Sequence, residues 1–441
     1  MIKKLLVANR GEIAVRIIRA CNELGIETVA VYSTADKESL PVQLAGQAVC
    51  VGPPPSAQSY LVQNNLIQAA VKTGCEAVHP GVGFLSENAS FARAVTEAGL
   101  TFIGPSWQVI DLLGDKVAAR RQARQAGLEI TPGTEDAVDG LESAEKAAAE
   151  LGLPVIIKAA AGGGGKGMRI VRECGELAEN LSLAIHEAEA NFACGRVFIE
   201  RYVEKPRHVE LQILADGAGR VAVLGERDCS VQRNHQKLIE ESPSPGIDDA
   251  MREKMRRGAV KLFSSLKYTG AGTIEFLVEN DRCYFMEVNA RVQVEHPVSE
   301  FVSGIDIIRE QIRCCTEGAL DIDPAAVRLS GAAIECRINA LSAGTVTKLH
   351  VPGGPGVRFD SHLRAGCTIP PYYDAMIAKL IVHDSSRAQA IARMDRCLAE
   401  LEIEGVATNS AEQRRIIGHP VFQSGVFDTG FYERYIAEME R

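Results

Sequence analysis

Aromatic residues are scarce in this 441-residue sequence, at 5% with a single tryptophan. Nor is there any apolar run approaching the ~18 residues that cross a bilayer. The apolar stretch that begins at Leu5 gives way to polar residues too soon for a secretory signal core. Positive charge is not in excess: 48 Lys and Arg stand against 57 Asp and Glu, giving a net charge of −9 and a pI near 5.6. That balance argues against a general nucleic-acid or anionic-membrane binder. The twelve cysteines form no CxxC and no Cys/His cluster with zinc spacing. They read as reduced, mostly buried thiols, and the chain is expected to be soluble and cytoplasmic. No repeat of 20–50 residues and no low-complexity tail occurs.

What is present is an ordinary globular balance, 46% hydrophobic and 24% charged, at a length suggesting about three domains. Residues 1–113 alternate strand and helix (KKLLVAN, then GEIAVRIIRACNELG with Ile13, Ile17, Ala20 and Leu24 on one stripe), which implies a doubly wound parallel sheet. The first turn holds only Gly11 and no GxGxxG, so a plain structural α/β layer is the better reading there. Residues 114–130 form a helical connector. Residues 131–203 suggest a small α+β lid: a helix over 141–152, stopped by Gly152 and Pro154, then VIIKAAAGGGGKGMRIV, then a helix over 175–193 and the strand VFIERYV. Residues 204–330 carry strands of a largely antiparallel sheet, and 331–441 mix strands and helices.

Gly162 to Gly167 (GGGGKG) is not a P-loop, because neither Ser nor Thr follows the lysine and a strand comes next. Strand, glycine loop, strand describes a flap whose backbone N–H groups can approach phosphate oxygens. Lys158 and Lys116 would add positive charge. Glu275 and Glu287 flank the hairpin GTIEFLVE–NDR–CYFMEVN. An odd loop centred on Asp281 sets the two carboxylates face to face, a repulsion of about 4 kcal/mol at ~4 Å and an effective dielectric of ~20. Mg²⁺ would remove it, with Asn289 on the same face as Glu287. A two-residue turn would instead shift the register by one and turn the carboxylates apart. His208, Glu210 and Gln212 alternate with apolar residues, equally the pattern of a half-solvated strand. GERDCSVQRNHQKLIEE puts Arg227, Gln232, His235 and Lys237 in a short span, dense for a surface loop. Arg291, Gln293 and Glu295 recur at period two and, if extended, share one face able to hold a small oxyanion and take its proton.

Together HPGVGFLSEN (79–88), GDK (114–116), GGGGKGM (162–168), PRHVELQ (206–212), ERDCSVQRNHQK (226–237), MEVNARVQVEHPVSE (286–300), ECRINA (335–340) and PPYYDAMIAKL (370–380) resemble biotin carboxylase over nearly the whole chain. The resemblance implies an ATP-grasp fold: an N-terminal doubly wound parallel-sheet domain, a small Gly-rich lid and a C-terminal antiparallel-sheet domain. It implies ATP-dependent carboxylation of biotin on a biotin carboxyl carrier protein, the first half-reaction of acetyl-CoA carboxylase in fatty acid synthesis. Carboxyltransferase subunits and a second copy of the chain would be its partners.

By the same resemblance Lys116, Lys158, Gly163, Gly164, Gly165 and Met168 hold ATP. Glu200, Arg201 and Val203 border the adenine, and His208, Gln232 and His235 lie along the nucleotide. Glu275, Glu287 and Asn289 resemble a Mg²⁺ or Mn²⁺ site. Lys237, Arg291, Gln293 and the Val294 backbone would bind bicarbonate, Glu295 would take its proton, and Arg337 would stabilise the biotin anion. Two departures stand out: Val82 where the family has Tyr, and a shortened segment after Ala340. No Met-Lys-Met motif occurs, so the acceptor lysine is expected on another chain. The alternatives are a bicarbonate-activating ligase with a different acceptor and a non-catalytic nucleotide-binding subunit of a carboxylase complex.

Overall fold

The computed structural model describes residues 2–160, 167–192 and 194–436. At the N-terminus, strands Lys4–Val7, Glu27–Ser33, Gln47–Gly52, Ala77–His79 and Thr101–Phe102 pair in parallel, the first lying third in the sheet. The central strands bury apolar side chains on both faces, Leu6, Val29, Val31 and Val78 in one core and Leu5, Val7, Ala30 and Ala77 in another, as a parallel sheet requires. Helix Gly11–Glu23 buries Ile13, Ile17 and Ala20 of the stripe and leaves Leu24 at its edge.

The lid has a three-stranded antiparallel sheet of its own, Met168–Val171, Val155–Ala159 and Val197–Arg201, backed by helices Leu141–Leu151 and Leu177–Phe192. Its core is separate and rich in alanine: Ala144, Ala147, Ala148, Ala184 and Ala188 pack against Val155, Ile157, Val171 and Ile199. Small side chains let the helices lie close to the sheet. Strands Val155–Ala159 and Met168–Val171 form the hairpin expected around the glycine tract, with Lys158 opposite Met168. Gly167 has φ +68, and a Cβ there would meet Ala159 Cβ at 3.0 Å. Gly163, Gly164 and Gly165 lie outside the described residues.

The largest element is an eight-stranded antiparallel sheet. Its order is Arg282–Asn289, Thr269–Glu279, Arg207–Asp216, Val221–Arg233, Gln236–Ser242, Ala332–Asn339, Met376–Asp384 and Val357–Ser361. It runs unbroken from the region before residue 330 into the region after it, since Gln236–Ser242 pairs with Ala332–Asn339. The dense span around Arg227 and Gln232 is not a loop: it is the second half of the 13-residue strand Val221–Arg233, which turns back through Asn234 and His235. Both turn residues have positive φ, +52 and +62, the geometry of a two-residue hairpin. Charge in this strand signals buried pairing, not solvent. Residues 290–295 are likewise not an extended strand but an irregular link to helix His296–Ser303.

Candidate active site

One face of the sheet carries a row of charges. Arg227, Glu210, Glu275 and Glu287 are register partners on four adjacent strands. The last pairing is reached by an unexpected route. The hairpin turn has two residues, Asn280 and Asp281, with Glu279 opposite Arg282, a register that alone would turn the two glutamates apart. An extra residue, Met286, lies between the pairs Phe276–Phe285 and Glu275–Glu287, and this β-bulge returns Glu287 to a position facing Glu275.

Three glutamates side by side are tolerable only with counter-charges. Lys237 is the hub. Its Nζ donates to Glu210 Oε2 at 2.7 Å, Glu275 Oε1 at 3.1 Å and Glu295 Oε1 at 2.6 Å. Arg227, wholly buried, donates to Glu210 Oε1 at 2.5 Å, Gln212 Oε1 at 2.6 Å and Thr273 Oγ1 at 3.1 Å. His208 Nε2 lies 2.6 Å from Glu275 Oε2, while its Nδ1 faces Gln232 Nε2 at 2.7 Å. Lys116, in the first turn of helix Lys116–Gln125, donates to Glu287 Oε2 at 3.1 Å.

The link after the hairpin folds onto the same cluster. Asn289 Nδ2 and Gln293 Nε2 donate to Glu275 Oε1 at 2.7 and 3.1 Å. Arg291 donates to Gln293 Oε1 at 3.0 Å, Asn289 Oδ1 at 3.0 Å and Glu87 Oε2 at 2.8 Å. Arg337 reaches across from the Ala332–Asn339 strand, with Nε 2.6 Å from Glu240 Oε1 and Nη2 3.1 Å from Glu295 Oε2.

These contacts fix the charge states. Burial pushes the Glu275 carboxyl up, but Lys237 and His208 outweigh it and hold the group well below the usual carboxylate range. Glu295 is held down in the same way, burial being overcome by Lys237, Arg337 and Arg227. Burial would lower Lys237, yet Cys229, Glu210, Glu275 and Glu295 keep its ammonium charged. Glu240 goes the other way: burial raises it to about 7 against the pull of Arg337.

A second node lies at the lid. Lys158 Nζ is 2.5 Å from Glu200 Oε2, and Arg120 pairs with the other oxygen. Lys116 feels Glu287 first, then Glu200 and Glu275, and so stands between the two nodes. Val203 is buried and Met168 half-buried. Two expected residues stay apart: His235 is exposed at its hairpin tip, and the Arg201 side chain turns away from the Glu200 face to Tyr284 Oη at 2.7 Å. The sequence reading left out of the site Arg227, Glu210, Glu240 and Glu87, all in contact with it. The alternation of His208, Glu210 and Gln212 held the signal for the second, because all three share the buried face with Glu275.

A parallel-sheet domain, a separately cored lid and an antiparallel sheet with a charged, buried face define an ATP-grasp ligase. Residues 1–110 match the biotin carboxylase N-terminal domain, 115–322 the ATP-binding domain of the carbamoyl-phosphate synthase L chain, and 335–434 the biotin carboxylase C-terminal domain. Biotin carboxylase 1 of Bacillus subtilis (strain 168) is 51% identical over 445 residues, 99% of each chain. The crystal structure of a biotin carboxylase–βγ-ATP complex from Campylobacter jejuni superposes with a TM-score of 0.97 at 42% identity, covering 99% of each chain. The biotin carboxylase domain of Hydrogenobacter thermophilus 2-oxoglutarate carboxylase, in a dimer with MgADP, ADP and bicarbonate, gives 0.95 at 43% identity over 99% of this chain and 98% of that one. The chain belongs to the biotin carboxylase family.

Proposed function

We propose that this chain carboxylates biotin borne on a separate carrier protein, with ATP and bicarbonate as co-substrates. One observation carries this reading: a half-buried ammonium, Lys237, touches three buried carboxylates, one of which, Glu295, is also gripped by Arg337. Such a pocket can accept a small oxyanion between fixed cations and beside a base.

Glu275, Glu287 and Asn289 suit Mg²⁺ or Mn²⁺. They offer hard oxygens on adjacent strands of one face, and the glutamates they belong to are crowded enough to gain from a divalent cation. Bound there, the ion would neutralise the phosphates of ATP and help align them for transfer. Lys116 and Lys158 would add charge at the phosphates, with Gly163, Gly164, Gly165 and Met168 over them. Glu200, Arg201 and Val203 would border the base, the Arg201 side chain excepted. His208, Gln232 and His235 would run along the nucleotide, His235 moving in from its exposed tip.

Bicarbonate would enter among Lys237, Arg291, Gln293 and the Val294 main chain. Glu295 as found is a weak base, because Lys237 holds its proton affinity low. An anion that draws Lys237 toward itself removes that restraint, so substrate binding would itself switch the base on. Once Glu295 has taken the proton, the dianion attacks the γ-phosphorus, releasing ADP and forming carboxyphosphate. This breaks down to CO₂ and phosphate. Phosphate takes the ureido N1 proton, and Arg337 steadies the resulting planar anion until N1 captures CO₂. A lid that excludes water protects the labile intermediate.

Acetyl-CoA carboxylase is the complex we infer, supplying malonyl units for fatty acid synthesis in the cytoplasm, with carboxyltransferase subunits and a homodimeric biotin carboxylase. Support comes from a match over 99% of the length of a curated biotin carboxylase. The altered residues near the acceptor, Val82 and the segment after Ala340, favour a second reading, a bicarbonate-activating ligase with another acceptor. ADP release measured with and without bicarbonate, then with free biotin or a biotinylated carrier, separates them. Bicarbonate dependence with biotin stimulation is expected. Bicarbonate dependence without stimulation selects the second reading, and independence from bicarbonate overturns both.

A further inference from the structure

Further along the same sheet, beside Arg337, lies a lysine that none of the steps above uses. Lys379, on the Met376–Asp384 strand, is wholly buried. It faces Arg337 across one strand boundary and Asp360 across the other. Its ammonium donates to the Val294 carbonyl oxygen at 2.7 Å. Glu12 Oε2, on helix Gly11–Glu23, is 3.3 Å away, and Glu335 lies close enough to act on it electrostatically. One ammonium thus ties together the N-terminal domain, the C-terminal region of the sheet and the link that carries Gln293 and Glu295.

We propose that Lys379 is a positioning residue for the base Glu295, acting through the Val294 carbonyl. This rests on the reading of Glu295 as the base.

The distances favour a bond that aims the link over a plain ion pair. The short contact goes to the carbonyl at 2.7 Å, while the nearer oxygen of Glu12 stands 3.3 Å off. The Val294 carbonyl and the Glu295 N–H share one planar peptide unit. Fixing the carbonyl therefore fixes the entry to Glu295, which stands at the head of helix His296–Ser303 with φ −81 and ψ +12. Burying an ammonium is costly, and burying it beside two carboxylates and a carbonyl is the arrangement that keeps it charged. Burial pulls the Lys379 ammonium down, but Glu12, Glu335 and Asp360 raise it above its ordinary value in spite of Arg358. A neutral side chain of similar length would fill the space but release the peptide. A 1 Å error in a reacting group can cost up to about 100-fold, so a small tilt matters.

The test uses the full chain and steady-state ADP release. Wild-type protein is measured first, because absence of bicarbonate dependence there overturns the reading of Glu295 and this inference with it. Lys379→Met is expected to raise the KM for bicarbonate about tenfold or more, the worth of one charge-assisted hydrogen bond. The KM for ATP and the bicarbonate-independent hydrolysis should stay as they were. Lys379→Gln, which keeps an N–H donor, should recover most of the loss, and Glu12→Gln alone should leave the bicarbonate KM unchanged. If Lys379→Met does not fold, Lys379→Met combined with Glu12→Gln removes the stranded carboxylate and gives the same readout. A bicarbonate KM equal to wild type in either folded variant sinks the proposal. So does an equal rise in both KM values, or failure of Gln to outperform Met.

Discussion

The lid and the eight-stranded sheet solve opposite problems. The lid closes a small alanine-rich core on itself and meets the helical connector through Arg120 with Glu200, Arg196 with Asp115 and the packing of Val117 against Ala160 and Phe198. A part with its own core can pivot as a unit, opening at low cost without disturbing its neighbours. The sheet face does the reverse. It spends apolar area on Glu210, Glu275, Glu295 and Arg227, all buried, and on the half-buried Lys237, each dependent on the next. Mobility is bought with simple packing; fixed charge requires mutual pairing, in which no member is removed without stranding another.

Substitutions can sharpen that contrast or break it. Glu295→Gln has the largest expected effect, a fall of about 10³-fold in bicarbonate-dependent ADP release. Release at the wild-type rate would mean that another group is the base. Next, Glu275→Gln should cut Mg·ATP turnover by about 10²-fold with a far smaller change in Tm. Turnover that survives intact would remove the metal assignment. Arg337→Ala is expected to spare bicarbonate-dependent ATP hydrolysis and to lose carboxybiotin formation about 10²-fold. Parallel loss of both activities would show that Arg337 serves the phosphoryl step through Glu295.

Glu300 tests pairing away from the reaction. Burial pushes its carboxyl up, but Arg16, His296 and Arg358 hold it down at about 2. A carboxyl lowered by folding stabilises above its unfolded value of 4.5 and loses that contribution as pH falls toward 2. Glu300→Gln should therefore cost about 3 kcal/mol at pH 7. In denaturant titrations the gap to wild type should close as pH falls from about 4.5. A gap that ignores pH would mean packing, not charge, is what the substitution removes. Smallest, Ile157→Ala in the lid should cost about 2 kcal/mol, the low end for such a change because small neighbours can close the gap. Faster hydrogen exchange should be confined to the lid; loosening of the whole sheet would refute its independence.

The lid and the parallel sheet were legible from periodicity, because their inward residues are apolar and their ends carry Gly and Pro. The charged sheet face was not. Arg227 and Gln232 look like surface residues until the strand beside them supplies Glu210 and His208, contacts between residues far apart in the chain. Lys237, Glu295 and Arg337 were found through long motifs and Glu275 through its hairpin, and only the folded structure shows one ammonium joining three carboxylates. The facing of Glu275 and Glu287 was expected from an odd turn, yet it arises from an even turn and a bulge.

That single surplus residue, Met286, behaves like a half-wave plate inserted in the strand. The tip beyond it and the acidic pair before it keep separate phases, so the composition of the tip can drift without altering which side chains meet above the pocket. Excising Met286 would invert the inner and outer sides of the ribbon on one flank only, turning a local deletion into a wholesale exchange of polarity.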